Sequence, residues 1–146
     1  MYDITLRKAR PDDCELAYSV KKAALRKYVE KVWGWREDEQ RRLHEERFRS
    51  QDYRVVNLAG RDVGIMAVVV APDCVRVNQI FILREHQRKG VGRECMLLVM
   101  DEARQMGLPV RLGVLKVNVP AQAFFQKLGF VRTAETDTHV LMERDS

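Results

Sequence analysis

The spacing of apolar positions changes several times along the chain, and each change marks an element. Ile4 and Leu6 alternate with polar residues as in a half-buried strand. Pro11 followed by Asp12 and Asp13 opens a helix, because proline fits a first turn and acids complement its dipole. Leu16, Val20, Ala24, Tyr28 and Val32 then recur at helical spacing, with Lys21, Lys22, Arg26, Lys27, Glu30 and Lys31 on the opposite face, and Trp33-Gly34-Trp35 ends the run. Residues 36–49 are almost wholly charged, with Leu43 and Phe48 as the strong anchors, which predicts a helix held by a narrow stripe or a mobile flap. Tyr53 to Ala59, a turn at Gly60-Arg61-Asp62 and Val63 to Val70 read as a hairpin, and Val75 to Leu83 as a further strand. From Val91 the period becomes helical again: Cys95, Leu98, Val99, Ala103 and Met106 form a stripe that Gly107 stops. Val110 to Leu115 is a strand, Ala121, Phe124, Phe125 and Leu128 mark a short helix closed by Gly129, and two last strands flank Thr136-Asp137.

Length and composition narrow what this pattern can serve. At 146 residues one core buries roughly 68 to 70% of the unfolded surface, so residues 1–146 are expected to form a single domain. The net charge of +5 invites an anionic partner: nucleic acid, an acidic surface or a polyphosphate cofactor. Lys and Arg are interleaved with Glu and Asp through 21–31 and 36–49, as on solvated faces, and no helix-turn-helix or aromatic RNA platform accompanies them. Nucleic acid is therefore not expected as a partner. Cys14, Cys74 and Cys95 are odd in number and set in apolar patterns, which suits buried thiols in a reducing compartment. The start Met1-Tyr2-Asp3-Ile4-Thr5-Leu6 has no basic region before an apolar run, and no segment approaches the roughly 20 apolar residues of a membrane span. A cytoplasmic protein with no membrane partner is expected. His44, His86 and His139 lack metal-ligand spacing, so no metal is expected and each is read as a surface or hydrogen-bonding side chain.

The chemistry concentrates between the strand ending near Leu83 and the helix starting at Val91. Backbone N–H groups at a helix start converge on an anion, and Gly90 and Gly92 let the backbone approach a pyrophosphate without a side chain in the way. Arg84, Arg88, Lys89 and Arg93 surround the turn with positive charge. A plain tight turn is the competing reading of paired glycines. A dinucleotide fingerprint would need a small residue where Cys95 stands, and a Walker loop needs Gly-Lys followed by Ser or Thr; neither requirement is met.

Gln87-x-x-Gly90-x-Gly92 resembles the pyrophosphate motif of the GNAT superfamily of N-acetyltransferases, and the element order matches that fold. A second segment, Asn118-Val119-Pro120-Ala121-Gln122-Ala123-Phe124-Phe125-Gln126-Lys127-Leu128-Gly129-Phe130, resembles the family's Asn-x-x-Ala-x-x-Phe-Tyr-x-Lys-x-Gly-Phe at the family's spacing. The resemblance implies an α/β (α+β) GNAT fold: a mixed, mostly antiparallel sheet of six to seven strands flanked by about four helices. It implies acetyl-CoA as acyl donor, with no metal. Ile80, Phe81 and Ile82 would line the pantetheine arm, with a main-chain amide near Ile82 polarising the thioester carbonyl. Amides from Arg88, Lys89, Gly90, Val91, Gly92 and Arg93 would hold the pyrophosphate, with Gln87, Asn118 and Phe124 also on the cofactor. Trp33, Trp35, Asn78 and His139 are the acceptor-side candidates; the tryptophans serve equally as a buried helix-end staple. Glu37, Asp38 and Glu39 read more simply as an acidic first turn than as a cation site. Dimers are common in the family, so a homodimer is carried as an analogy.

Three of the family's usual proton carriers are missing. Phe125 stands where a Tyr protonates the departing thiolate, Gly113 where some members carry a Glu base, and Asn78 at another acidic site. Leaving a thiolate of pKa about 8.5 unprotonated at pH 7 costs about 2 kcal/mol. Presenting a free amine costs about 4.6 kcal/mol for a lysine-like group and about 1.4 kcal/mol for an α-amine near 8. The expected reaction is direct attack by a free primary amine of a small molecule or peptide, deprotonated through water, with orientation and carbonyl polarisation from the protein. His139 is the histidine to test as a proton carrier. A catalytically silent acetyl-CoA sensor or interaction module is the alternative that the missing groups keep open.

Overall fold

The computed structural model describes residues 3–145. Strand β1 (Ile4–Lys8) leads through a 3-10 turn at Pro11–Asp13 into helix α1 (Cys14–Val32), followed by α2 (Glu37–Ser50). Strands β2 (Asp52–Leu58), β3 (Arg61–Val70) and β4 (Val75–Ile82) form a meander. Helix α3 (Val91–Met106), β5 (Val110–Leu115), α4 (Val119–Lys127), β6 (Val131–Glu135) and β7 (His139–Arg144) complete the chain. The seven strands run in the order β1-β2-β3-β4-β5-β7-β6, antiparallel except for β4 with β5. This is the mixed, mostly antiparallel sheet that the resemblance implied.

Each face of the sheet has its own packing. On one face α3 and α4 close over Val56, Met66, Val68, Val75, Val77, Leu112 and Val140. On the other, Ala17 and Val20 of α1 pack with Tyr53, Ile65 and Ala67, and Phe48, Phe81 and Leu83 border the cluster. Burying each such apolar side chain contributes about 1.5–3 kcal/mol, so both layers fix the sheet firmly.

The helices differ from their predicted stripes where tertiary packing widens or turns the buried arc. In α3 the buried set is Val91, Cys95, Met96, Val99, Met100 and Ala103, while Leu98 and Met106 are exposed; the stripe is rotated by less than one residue step toward Met96 and Met100. In α1 Lys21 is buried rather than on the solvent face, because α1 is covered by the sheet on one flank and by α2 on the other. Its ammonium has no protein partner among the described residues, and burial, with Arg47 nearby, pushes its pKa down to about 8. Residues 37–50 form a regular helix, not a flap, and the buried anchor is His44 instead of Leu43. His44 Nε2 lies 3.0 Å from the Cys14 carbonyl, so Nε2 carries the proton and Nδ1 is an acceptor in the neutral ring. Burial holds this imidazole below its ordinary value, and the ring sits among Tyr18, Phe48 and Tyr53 rather than at the surface. Cys74 and Cys95 are buried as expected, whereas Cys14 is only partly covered; all three thiols are free.

The corner between β1 and α1 is held by charge. Arg7 donates to both carboxylate oxygens of Asp13 at 2.8 and 3.0 Å and to Asp62 at 3.0 Å. The Arg7 hydrogen bonds, against a smaller burial penalty, pull the Asp13 carboxyl down to about 2.

One irregularity shapes everything downstream. Ala67 pairs with Gln79 and Val68 with Val77, which leaves Asn78 as an extra residue in β4. The bulge shifts the side-chain alternation, so Val75 and Val77 before it and Ile80 and Ile82 after it all join the α3 side of the sheet.

Candidate active site

Strands β4 and β5 pair only at Val75–Val110, Arg76–Arg111 and Val77–Leu112. Beyond the Asn78 bulge β4 continues along β3 to Ile82, while β5 continues along β7 to Leu115, so the two diverge. A bulged strand bends, and here the bend coincides with the loss of pairing. Leu83 N donates to Val63 O on the β3 side at 2.8 Å. Backbone groups alternate along a strand, so the amides of Ile82 and Ile80 face the other way, into the gap. Phe81 turns its side chain to the opposite layer and packs near Ala17 and Val20.

The gap leads to the glycine turn. Gln87 Nε2 donates to Ile82 O at 2.8 Å, fastening the turn to the end of β4. Arg88 (φ 61°) and Gly90 (φ 83°) are both left-handed, which reverses the chain and makes Gly90 the residue before the first turn of α3. Glu94 N donates to Gly90 O at 3.0 Å as the first helical bond. The preceding N–H groups, of Val91, Gly92 and Arg93, have no intrahelical acceptor and carry the positive end of the helix dipole. The Val91 side chain is buried, so only its amide can face a ligand. A Cβ on Gly92 would lie 3.5 Å from Phe124 Cζ and 3.8 Å from Ile82, which shows that Phe124 and Ile82 close under the turn. Arg84, Arg88 and Lys89 are exposed, and none makes an ion pair among the described residues; Arg93 is exposed too, 3.8 Å from Glu94. Backbone donors, free cations and a glycine floor fit a pyrophosphate. The apolar walls at Ile80, Ile82 and Phe124 fit a chain bearing amides and methylenes.

Asn118 ends the opposite wall. Its Oδ1 accepts from Ala121 N at 3.3 Å and starts α4, leaving its side-chain nitrogen without a protein partner among the described residues. Phe125 is buried between Phe124 and Phe130, at ring distances of 5.1 and 5.7 Å, as part of the core.

The acceptor-side candidates are not all brought together. Trp33, at the exposed end of α1, lies with its ring 6.4 Å from that of His139 on β7. Trp35 turns back instead: Nε1 donates to Glu37 Oε2 at 2.8 Å, and the Arg26 guanidinium lies 5.9 Å from its ring. That bond, with Lys22, holds the Glu37 carboxyl at about 2, so Glu37 is taken up by its own neighbours, while Asp38 and Glu39 are exposed. Asn78 donates to Gln51 Oε1 at 3.2 Å and acts chiefly through the bulge it forms. Gly113 is the first β5 residue past the β4 pairing, and Leu141 and His139 stand over it. Sequence patterning missed Thr138 and Leu141; counting back along the β5–β7 ladder from Gly113 would have found Leu141, which pairs with it.

The Acetyltransferase (GNAT) family model matches residues 17–130, and the chain belongs to that family of acetyltransferases. No curated protein sequence matches it. Among solved structures it is similar to the PaiA N-acetyltransferase of Thermoplasma acidophilum in complex with coenzyme A, at 16% identity and a TM-score of 0.80 over 99% of both chains. It is also similar to the ribosomal-protein-S18-alanine N-acetyltransferase of Escherichia coli, at 19% identity and a TM-score of 0.72 over 97% of this chain and 93% of that one. Arabidopsis thaliana Naa50, in complex with the bisubstrate analogue CoA-Ac-MVNAL, gives 14% identity and a TM-score of 0.71 over 98% of this chain and 99% of that one. At these identities the likenesses speak for the fold. Among the described residues no helix is long and apolar enough to cross a membrane.

Proposed function

We propose that the protein is an acetyl-CoA-dependent N-acetyltransferase that moves the acetyl group to a primary amine of a small molecule or peptide by direct attack. The carrying observation is the gap between β4 and β5: it opens at a bulge, presents the amides of Ile80 and Ile82, and ends on the free N–H groups of the Gly90–Gly92 turn. The donor supplies an activated thioester. The protein's part is to orient it, with the pyrophosphate on the amides of residues 88–93, the pantetheine arm along Ile80 to Ile82, the Asn118 nitrogen on that arm, and an amide near Ile82 polarising the carbonyl. Phe125, locked in the core, has no proton to give, and at a cost of about 2 kcal/mol the thiolate can leave without one. A weakly basic amine is the favoured acceptor, since an α-amine costs about 3 kcal/mol less to present uncharged than a lysine-like one. The names of two neighbours point to protein or peptide acceptors, which is consistent with an N-terminal amine. Three free thiols suit a cytoplasmic enzyme.

A melting curve with and without acetyl-CoA tests the grip: ligand at 100 times its Kd stabilises by about 2.7 kcal/mol. No shift at millimolar donor would overturn the proposal. A shift with no free CoA released across amino acids, polyamines, aminoglycosides and peptide N-termini would favour the silent sensor, the reading that Gly113 and Phe125 keep alive.

A further inference from the structure

The side chain missing at Gly113 is replaced from the neighbouring strand. A Cβ on Gly113 would meet Leu141 Cδ2 at 3.4 Å and His139 Cδ2 at 3.9 Å. His139 pairs with Leu115, two residues along from Gly113, so its ring reaches diagonally across the ladder to the point where β4 has departed. The ring is held there. Its Nδ1 lies 2.8 Å from Thr138 Oγ1, and the backbone N–H groups of Thr138 and His139 both donate to Thr136 Oγ1, at 3.3 and 3.0 Å. Trp33 flanks the ring from the end of α1. With Nδ1 turned to Thr138, the edge bearing Cδ2 and its bonded neighbour Nε2 is the one over Gly113. Nε2 has no protein partner among the described residues.

We propose that His139 is the general base of the transfer, taking the acceptor's proton on Nε2 in place of the carboxylate that Gly113 cannot supply; this rests on the reading of the cleft as an acetyltransferase site. The charged groups of the neighbouring strands are taken up by one another: Lys116, which follows β5, pairs with Glu135 of β6 at 3.6 Å, Arg132 of β6 with Glu135 at 2.9 Å, and Arg111 of β5 with Glu143 at 2.9 Å and Asp73 at 3.2 Å. The protons balance as follows. The acceptor ammonium gives one proton to Nε2 and becomes a free amine. Its nitrogen bonds to the acyl carbon and the carbon–sulfur bond breaks. The second nitrogen proton goes to the departing sulfur, so the products are the acetamide and the CoA thiol, and the imidazolium returns its proton to solvent. Thr138 is a positioning residue: its hydroxyl fixes which ring nitrogen faces the amine.

The experiment compares His139→Gln and Thr138→Val with the wild type in kcat/KM against pH, using an amine that the wild type acetylates, beside melting curves with acetyl-CoA. Expected for His139→Gln is a loss of about 10²- to 10⁴-fold in kcat, with the donor-induced melting shift intact. The acceptor's own ionisation is common to both proteins, so the ratio of their profiles isolates the base: a ratio that changes with pH is expected, and a flat one would overturn the proposal. Thr138→Val is expected to lower kcat with the donor-induced melting shift intact, and Thr138→Ser, which keeps the hydroxyl against Nδ1, to restore it. If His139→Gln, shown folded by its melt, keeps kcat within threefold and the wild-type profile, the proposal is wrong while the acetyltransferase reading stands. If the wild type binds donor and releases no CoA with any amine, both fall together.

Discussion

The two faces of the sheet are built from different materials. Beneath α3 and α4 the buried cluster is wholly apolar. The face under α1 and α2 carries buried Lys21, His44 and Gln79, with Asp13 at its margin. Tyr53 OH donates to Gln79 Oε1 at 3.1 Å, but among the described residues Lys21 Nζ and His44 Nδ1 are buried without protein partners. An apolar layer fixes geometry cheaply, and it is this layer that seats the donor turn and its floor at Phe124 and Ile82. A layer with unpaired polar groups gives up stability, and it lies on the face that carries the proposed base His139. On the proposed reading, donor and acceptor sides thus rest on layers of different composition, separated by one sheet.

Substitutions can break that contrast. The largest effect is expected from Met96→Ala, which opens a cavity in the apolar layer and costs about 2–5 kcal/mol in denaturant unfolding. Next is Lys21→Met. An ammonium whose pKa falls from 10.5 to about 8 on folding destabilises the wild type by about 3 kcal/mol at pH 7. The unfolded chain binds the proton more tightly, so wild-type stability climbs as pH rises from about 8 to 10.5, and the advantage of the variant shrinks over that window. An advantage that is absent at pH 7, or that does not shrink, would show Lys21 to be satisfied in solution. Asp13→Asn works in the opposite direction, costing about 2 kcal/mol at pH 7. Here the folded carboxyl is the stronger acid, so the contribution is complete above about pH 4 and disappears as pH falls through about 2; acid titrations of both proteins should converge there. Smallest is Gly90→Ala, about 1–2 kcal/mol from a side chain forced into the left-handed region. Its larger consequence should be a weakened donor-induced melting shift, measured beside Gly34→Ala, another left-handed glycine far along the chain.

The sequence makes the fold legible wherever one face of an element is dry and the other wet. Val110 to Leu115 and the ends of α3 at Val91 and Gly107 could be read directly, because alternation and left-handed glycine punctuation act locally. Lys21 and His44 could not, since a helix covered on two flanks buries positions that a one-stripe pattern assigns to water. The glycine turn before α3 was visible because side-chain-free positions at fixed spacing mark a chain reversal and a helix start. The neighbourhood of His139 was not, because it depends on the register of β5 against β7 and on where β4 leaves them. Trp35 shows the same limit: its type suited a pocket wall and a helix-end staple equally, and only the structure shows its Nε1 bonded to Glu37, two residues on.

The extra residue in β4 carries a consequence for how the gene can change. Asn78 supplies the extra position whatever its side chain, so the bulge is expected to survive substitution there. Removing the position is another matter. A strand shortened by one here loses the bulge and alternates regularly, with Val75, Val77, Ile80 and Ile82 still on the α3 face, but it also loses the bend, so pairing with β5 can continue past Leu112 and close the gap. A single-codon deletion is therefore expected to erase the donor site of a protein that keeps most of its secondary structure, an outcome that circular dichroism and a donor melting shift would register together.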